Sequence, residues 1–182
     1  MPDGLLIDAR YISSPHCDAR PDYAPIDLIV MHGISLPPAQ FNNDSIEKFF
    51  LGELDFTVHP YFETIKHLKV SSHLLIKRSG EIIQFVPFSK RAWHAGESSF
   101  EGRERCNDFS IGIELEGTDD LSYEEIQYKK LAKIIKALQK SYPSITHSRI
   151  TGHSDVAPGR KTDPGASFDW NYLYGLLRWK IK

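Results

Sequence analysis

The sequence contains little of what marks redox-active or nucleic-acid-binding proteins. Its 182 residues include only two cysteines, Cys17 and Cys106, and these do not form a Cys-x-x-Cys pair. That pattern supports neither a redox motif nor a zinc knuckle. The net charge is −2 and the sequence pI is about 6.4, so there is no basic excess of the kind that favours a nucleic-acid partner. We therefore expect no nucleic-acid partner.

Long hydrophobic runs are also missing. No apolar run approaches the length that a helix needs to cross a bilayer, so we expect no membrane partner. The first ten residues lack a basic start, and their apolar run extends only from Leu5 to Ile7 before Asp8 interrupts it, unlike a secretory signal. The sequence therefore predicts a cytoplasmic protein, in which Cys17 and Cys106 stay free thiols because cytosolic disulfides are rare.

What the sequence does contain is the composition of one globular domain. Apolar residues make up 41% and charged residues 25% of the chain, and its length is enough to bury a substantial core. The opening segment carries Pro15, Pro21 and Pro25, which predicts an irregular N-terminal arm over residues 1–25. We interpret residues 1–182 as a single domain and expect it to be a monomer.

Two strands are indicated most clearly. Residues 28–31 form a continuous apolar run that ends at His32-Gly33, as in a strand buried on both faces. Residues 110–116 alternate, with three aliphatic side chains on one face and Gly112, Glu114 and Glu116 on the other. Further strands are predicted over residues 72–76 and 82–86, which form a hairpin, and over 150–153.

Helices are predicted between these strands. The clearest covers residues 122–141, with an apolar stripe that follows a capping box of Ser122 and Glu125. A short helix is predicted over residues 44–51, and Asp169 caps a last helix. Because strands and helices alternate in a mixed order, we predict an α/β domain with a central mixed β-sheet flanked by helices.

Three residues have the side chains and positions of metal ligands. His32 and His153 each end a predicted strand, and Asp163 lies in the loop beyond His153. Two neutral imidazoles and one carboxylate, with a fourth position left to water, are ligands that catalytic zinc uses. A lone histidine is more often an ordinary hydrogen-bonded residue, and the spacing forms no compact motif such as H-E-x-x-H. The residues alone thus make a zinc site at the strand ends plausible and leave the ordinary role open.

A general base and an oxyanion partner also have candidates. Glu114 lies on the polar face of an apolar strand, where a carboxylate is costly unless it faces a cleft or has a partner. Glu116 shares that face and is the rival, and an ordinary solvated sheet face explains both equally well. Lys161 could direct an ammonium group at a developing oxyanion, although a solvated loop lysine is the usual alternative.

Two loops could contact a substrate. Trp93 and His94 lie in the sequence Arg-Ala-Trp-His-Ala-Gly, whose aromatic and small residues suit a sugar or peptide pocket. Arg103 and Arg105 flank Glu104 and could hold a substrate carboxylate. A solvated charge cluster explains these arginines as well.

Long segments of the chain closely resemble the type 2 N-acetylmuramoyl-L-alanine amidases, whose fold is related to that of the peptidoglycan recognition proteins. The resemblance runs from about Ser14 to Trp170, nearly the whole chain. Its segments are His32–Pro38, Gly80–Phe88, Lys90–Gly96, Gly102–Thr118 and Thr151–Gly165. It is strongest to the cytoplasmic members that act on 1,6-anhydro-N-acetylmuramyl peptides during cell-wall recycling. It implies a zinc-dependent hydrolase that cuts the amide between the lactyl group of the muramic acid and L-alanine of a small, soluble muropeptide.

The resemblance also implies a role for each candidate residue. His32, His153 and Asp163 match the zinc ligands of the family. Glu114, the first glutamate of Ile-Glu-Leu-Glu, matches its catalytic acid/base, and Lys161 matches the lysine that stabilises the transition state.

Substrate contacts are implied less completely. Arg105 matches an arginine that holds the distal carboxylate of the peptide, and Trp93 lies in the loop that lines the substrate groove. The chain departs from the family pattern at Gly33, where an asparagine is usual, and at Ser154, where a cysteine is usual. Neither departure removes a ligand, but Gly33 removes a hydrogen-bonding side chain beside the metal and bears on substrate preference.

Three alternative functions are left open by the sequence. Some relatives bind peptidoglycan without cutting it, typically because a metal ligand is missing. An amidase of the same chemistry could act on intact, exported wall. A thiol hydrolase could use Cys17 or Cys106.

Overall fold

The described part of the chain, residues 4–22 and 24–178 of a computed structural model, contains ten strands and five α-helices. The strands are β1 (Arg10–Tyr11), β2 (Cys17–Ala19), β3 (Leu28–Ile34), β4 (Leu74–Ile76), β5 (Ile82–Gln84), β6 (Lys90–Ala92), β7 (Ser99–Phe100), β8 (Arg103–Glu104), β9 (Ser110–Glu116) and β10 (Ile150–Gly152). The helices are α1 (Ser45–Leu51), α2 (Pro60–Ile65), α3 (Glu125–Ser141), α4 (His153–Val156) and α5 (Trp170–Leu177). Within these residues, no helix is long and apolar enough to span a membrane.

Six of the strands form one mixed sheet in the order β1-β5-β4-β9-β3-β10. Strands β4 and β5 pair antiparallel as the predicted hairpin, whereas the other neighbouring pairs are parallel. Two small antiparallel pairs, β2 with β6 and β7 with β8, lie outside this sheet. The prediction of a single α/β domain with a central mixed sheet flanked by helices is confirmed.

Strands β3 and β9 form the centre of the sheet. Four consecutive β3 residues, Leu28 to Met31, are fully buried, as expected for a strand covered on both faces. The parallel register places His32 of β3 beside Glu114 of β9. Strand β3 continues past His32 to Ile34, so this histidine lies just inside the end of the strand.

One face of the sheet packs against α3 and α5. The layer consists of buried aliphatic side chains from three central strands and the two helices. Its main members are Ile29, Met31, Leu74, Ile76, Ile111, Ile113, Leu115, Leu131, Ile134, Ile135, Leu138, Leu173 and Leu177. Because this layer is apolar throughout, the polar residues of the central strands lie on the opposite face.

The opposite face is divided between two smaller apolar clusters. Helices α1 and α2 cover one end of the sheet, where Phe50 and Phe62 are almost fully buried. At the other end, Val30 of β3 packs with Val156 of α4. His32 follows Val30 on the same face of β3, so the candidate site lies on this divided face.

The N-terminal arm is less irregular than predicted. Residues 10–11 pair parallel with β5, and residues 17–19 pair antiparallel with β6. The prediction of an irregular arm is therefore wrong for these two segments, because Pro15 and Pro21 interrupt pairing without preventing short strands beside them. Residues 1–3 and 23 of the arm lie outside the described residues.

The starts of α1 and α5 agree with the predictions from sequence, whereas the start of α3 does not. Helix α1 begins after Asp44, and α5 begins after Asp169, whose side chain accepts from the Tyr172 N–H. Helix α3 begins at Glu125 instead of Ser122, and its capping contact runs from the Glu124 N–H to the side chain of Gln127 at 2.9 Å. The predicted capping box was therefore wrong.

Helix α2 was not predicted. It has six residues, of which Phe62 and Ile65 are buried. So short a helix shows too little periodicity to be recognised, although Pro60 at its first position is a helix-start signal.

Candidate active site

The candidate residues gather at the carboxyl edge of three parallel strands. His32 lies near the end of β3, Glu114 lies beside it on β9, and His153 directly follows β10. Parallel strands end at the same edge of a sheet, so residues that are distant in sequence meet there. Asp163 joins them from the loop after α4, where its carbonyl accepts from the Ser154 N–H at 2.9 Å.

Three donor atoms of this group face one another. His32 Nδ1 and His153 Nδ1 are 3.0 Å apart, and Asp163 Oδ2 lies 3.1 Å from the first and 3.0 Å from the second. Ligand atoms held about 2.0–2.1 Å from a tetrahedral zinc are separated by about 3.3 Å. The triangle is therefore close to the size of one face of such a site, and these residues can hold a metal ion.

The ionisation of these groups also suits a metal. His153 Nε2 lies 3.1 Å from the carbonyl of Ala95, to which it can only donate, so a neutral imidazole leaves Nδ1 with its lone pair. Burial lowers the pKa of His32 to about 4, so this ring is neutral at neutral pH. Asp163 supplies the carboxylate oxygen of the set, and a carboxylate must be ionised to act as a ligand.

Tyr123 holds the loop that carries Asp163. Its hydroxyl donates to the carbonyl of Pro164 at 2.9 Å. A β-carbon at Gly33 would lie 2.2 Å from this hydroxyl, and one at Gly117 would lie 2.3 Å from the ring. These glycines leave the space that Tyr123 fills. Tyr123 was not predicted from the sequence, and the isolated glycines in and beside the strands were the available signal.

Glu114 is a buried carboxyl group with a free oxygen. Its side chain is 7% exposed, and among the described residues Oε2 has no hydrogen-bond partner. Burial and then the negative charge of Asp163 raise the pKa of Glu114 well above its ordinary value, whereas Lys161 lowers it. A carboxyl group with a raised pKa takes up a proton more readily than an ordinary glutamate does and can release it again, which is what a general acid/base requires.

Glu116, the rival, has different surroundings. It is 1% exposed, and its two oxygens accept from the backbone N–H groups of Asn42 at 3.2 Å and Arg78 at 3.0 Å. Both oxygens are thus occupied in holding two loops to the end of β9. The geometry therefore favours Glu114 over Glu116 as a reactive carboxylate.

A cavity of about 530 Å³ opens over this group. Its polar side contains the three donor residues, Glu114 and Lys161. Its apolar side is formed by β3, α1, α2 and the segments that follow them, with the residues Leu36, Phe49, Phe50, Tyr61, Ile65, Leu68 and Val70. The size and the mixed lining suit a small ligand with both apolar and polar parts.

Of the four predicted substrate-binding residues, the structure places two in this cavity and the other two elsewhere. Gly33 and His94 line this cavity. The indole N–H of Trp93 donates to Asp18 Oδ1 at 3.2 Å, and Trp93 is not among the residues that line the cavity in the described part of the chain. Arg105 lines a second cavity of about 460 Å³, with its side chain 67% exposed. The four binding roles stay predictions.

The class of protein is given by comparison with family models. Residues 22–166 match the model of the N-acetylmuramoyl-L-alanine amidase family, and the chain therefore belongs to this family. The matched segment contains His32, Glu114, His153, Lys161 and Asp163.

Comparison with individual relatives indicates the subgroup of the family to which the chain belongs. The chain is 57% identical over 175 residues to the 1,6-anhydro-N-acetylmuramyl-L-alanine amidase AmpD of Citrobacter freundii, which covers 96% of this chain and 93% of that protein. The crystal structure of a Se-Met AmpD derivative has a TM-score of 0.94 at 55% identity and covers 97% of this chain and 98% of that chain. These similarities make the chain an AmpD-type member of the family.

A more distant relative has been solved with its substrate. The Escherichia coli amidase AmiD, in complex with anhydro-N-acetylmuramic acid-L-Ala-D-γ-Glu-L-Lys, has a TM-score of 0.60 at 30% identity. The match covers 86% of this chain and 60% of that chain.

Proposed function

We propose that this protein is a zinc-dependent amidase that hydrolyses the bond between the lactyl group of 1,6-anhydro-N-acetylmuramic acid and L-alanine of the stem peptide. The observation that carries the proposal is the triangle of His32, His153 and Asp163 donor atoms, 3.0–3.1 Å apart. It lies in the same cavity as Glu114. The identity to AmpD, which carries this activity in its name, supports the choice of bond.

Zinc in such a site would supply Lewis acidity, polarising the substrate carbonyl and making a water molecule easier to deprotonate. Glu114 Oε2, which has no partner among the described residues, accepts a proton from the attacking water. The new C–O bond forms as the carbonyl oxygen gains negative charge. Lys161, from the loop that also carries Asp163, lines the same cavity, and in this proposal its ammonium group stabilises that charge.

Glu114 then completes the reaction by returning its proton. The leaving group is the alanine nitrogen, which must be protonated as the C–N bond breaks. The products are the anhydro-muramic acid with a free carboxyl group and a peptide with a free amine. One carboxylate can serve both steps because its raised pKa makes it a base before the attack and an acid afterwards.

The cavity supports a small muropeptide as substrate. Its apolar side offers a surface for the lactyl and acetyl methyl groups and for the sugar ring, while the polar side faces the amide. The complex of AmiD with an anhydro-muramyl tripeptide is a precedent for this substrate class in a relative. We propose that Gly33, Trp93, His94 and Arg105 contribute to binding, with Arg105 toward the end of the peptide.

We also propose that the protein acts as a monomer on soluble wall fragments in the cytoplasm. The two cysteines are free thiols, as expected in a reducing compartment. Burial raises the pKa of the Cys106 thiol, and in the described residues no cysteine lines the cavity. These properties argue against the thiol-hydrolase alternative.

The first test is release of free peptide from soluble anhydro-muramyl tripeptide, measured after chelation and again after addition of zinc. We expect cleavage at the lactyl–alanine bond, loss of cleavage with chelator, and recovery with zinc. Insoluble wall sacculi assayed in parallel separate the recycling activity from an exported-wall activity. A folded, zinc-loaded protein that cleaves neither substrate would overturn the proposal in favour of a binding module.

A second test addresses the metal alone. Asp163→Ala removes one of three ligands, so we expect it to lose stoichiometric zinc after dialysis. The matched control is Asp119→Ala, which removes a carboxylate from the same cavity but not one of the three ligands. Stoichiometric zinc in the Asp163→Ala protein would contradict the ligand assignment.

A further inference from the structure

A buried row of polar groups lies behind His32, on the side away from the other two ligands. His32 Nε2 is 2.9 Å from His94 Nδ1, and His94 Nε2 is 3.1 Å from Ser110 Oγ. Ser110 Oγ is in turn 2.6 Å from the carbonyl oxygen of Cys106. The side chains of this row, those of His32, His94 and Ser110, are all at least nine-tenths buried.

The end of the row determines the direction of its hydrogen bonds. A carbonyl oxygen can only accept, so a contact of 2.6 Å requires the single hydroxyl proton of Ser110 to point at Cys106. Ser110 Oγ must then accept from His94 Nε2–H. With one proton on its ring, His94 leaves Nδ1 to accept from His32 Nε2–H. The row therefore favours a lone pair on His32 Nδ1, the atom that faces His153 and Asp163. It opposes the Asp163 carboxylate, which can only accept and so favours a proton on that atom.

The surroundings hold His94 in this position. A β-carbon at Gly112 would lie 2.4 Å from His94 Cγ, so the ring rests directly on the β9 backbone. The Oδ1 atom of Asn107 accepts from the backbone N–H groups of His94 at 3.1 Å and Ala95 at 2.8 Å. The carbonyl of Ala95 accepts from the second ligand histidine, His153.

We propose that His94 and Ser110 are positioning residues that keep His32 in the tautomer whose unprotonated Nδ1 faces the metal position. This inference rests on the proposed zinc site. If the hydrogen bonds of the row were donated in the opposite direction, His32 Nδ1 would carry the proton and would have to lose it before binding a metal. Partners of this kind orient ligand histidines in metal sites, and their removal costs about 10–100-fold in metal affinity.

The main test compares two buried serines. Ser110→Ala removes the acceptor of His94 Nε2–H, so His94 can carry its proton on Nδ1 and reverse the row. Ser72→Ala is the matched control, because Ser72 is also fully buried and its hydroxyl donates to the carbonyl of Leu74 at 2.9 Å. We expect a zinc dissociation constant about 10–100-fold higher for Ser110→Ala and unchanged for Ser72→Ala, measured by competition with a chromophoric chelator.

A second readout needs no zinc. Long-range proton–nitrogen correlation NMR of the metal-free protein distinguishes a protonated from an unprotonated ring nitrogen. We expect His32 Nδ1 to be unprotonated in the native protein and in Ser72→Ala, and partly protonated in Ser110→Ala. A merely structural role for Ser110 would lower the unfolding temperature without changing this signature.

A pair of substitutions at His94 keeps the test decisive should Ser110→Ala fail to fold. His94→Asn places an amide oxygen near the position of Nδ1 and can still accept from His32 Nε2–H, whereas His94→Leu cannot. We expect tighter zinc binding in His94→Asn than in His94→Leu.

Two results overturn the inference. Equal zinc affinities for the native protein and Ser110→Ala, or for His94→Asn and His94→Leu, would show that the row does not set the tautomer. Native protein that binds no zinc would refute the proposed function as well, so the two failures are distinguishable.

Discussion

The two faces of strand β9 are equally buried but differ in chemistry. Every residue from Ser110 to Glu116 is buried. On one face, Ile111, Ile113 and Leu115 pack into the apolar layer beneath α3 and α5. On the other, a serine, a glycine and two glutamates point toward the divided face that contains the candidate site. Burial alone therefore does not distinguish a core position from a site position in this strand.

The difference lies in how each buried group is satisfied. Aliphatic side chains need only close contact with one another. A buried carboxyl group needs hydrogen bonds, and Glu116 has two from backbone N–H groups. Glu114 has an oxygen without a partner in the described part of the chain, which destabilises its ionised form and leaves it available to a substrate. The position proposed to be functional is thus the one whose carboxyl group the described residues leave without a partner.

The largest expected effect is on the unsatisfied carboxyl group. Glu114→Gln keeps the shape of the side chain but cannot accept a proton, so we expect turnover to fall by about 10²–10⁴-fold. Zinc content should be unchanged, because Glu114 is not one of the three ligands. Peptide release and metal content would be measured on the same sample, and turnover within a few-fold of native would contradict the assignment.

A substitution on the apolar face of β9 should have the opposite effect, lowering stability and leaving turnover unchanged. Ile113→Ala leaves a cavity in the layer beneath α3, so we expect a loss of about 2–5 kcal/mol in the free energy of unfolding. Turnover per folded molecule should stay close to native. Urea unfolding measures the first quantity. Leu121→Ala is the control because Leu121 is 45% exposed, and its change should stay within about 0.5 kcal/mol.

Glu116→Gln should lower stability and leave turnover unchanged, as a substitution on the apolar face does, although Glu116 is a carboxylate. The amide can accept through one oxygen only, so the N–H of Asn42 or of Arg78 loses its partner. We expect a loss of about 1–3 kcal/mol in unfolding free energy, with turnover near native. Loss of turnover at full stability would show that the two glutamates have been assigned the wrong way round.

The smallest expected effect is a gain in the stability of the metal-free protein on Glu114→Gln, and this gain depends on pH. The pKa of Glu114 is raised in the folded protein, so between its unfolded and folded pKa values the unfolded state releases the proton. Native stability then falls as pH rises through this window. We expect metal-free Glu114→Gln to unfold at a higher temperature than metal-free native protein at neutral pH. The difference should disappear below about pH 4, under the ordinary glutamate pKa.

Thermal unfolding at several pH values in chelator would measure this gain. For a chain of this size, 1 kcal/mol corresponds to about 2–4 °C. A Glu114→Gln protein less stable than native at neutral pH would show that the carboxyl group has a stabilising partner, and the contrast with Glu116 would then be lost.

Much of the fold could be predicted because it depends on local patterns. The apolar run at residues 28–31 and the alternation over residues 110–116 predicted β3 and β9, which the structure has at Leu28–Ile34 and Ser110–Glu116. The errors occur where local signals compete or are short. Helix α3 uses Glu124 and Gln127 for its capping contact instead of the earlier pair, and α2 is too short to show a period.

The candidate site was predicted in part. His32, His153 and Asp163 came from residue type and from the resemblance to a family, and the structure brings them within 3.1 Å of one another. The residues that support them were not found. Ser110 and Tyr123 act through contacts with segments far away in sequence, and a single sequence gives no measure of such distances.

The sequence by itself determined the period-two pattern of β9, and with it the fact that Glu114 and Glu116 share a polar face opposite an apolar one. That pattern alone could not separate the two glutamates, because residues two apart on a strand are equivalent by period, and only the resemblance to the family favoured Glu114. The tertiary structure supplies the physical difference between them. It places the loops at Asn42 and Arg78 against Glu116 and places the strand ends that carry His32 and His153 around the cavity at Glu114. These are long-range contacts, set by strand order and loop packing, that no local pattern contains.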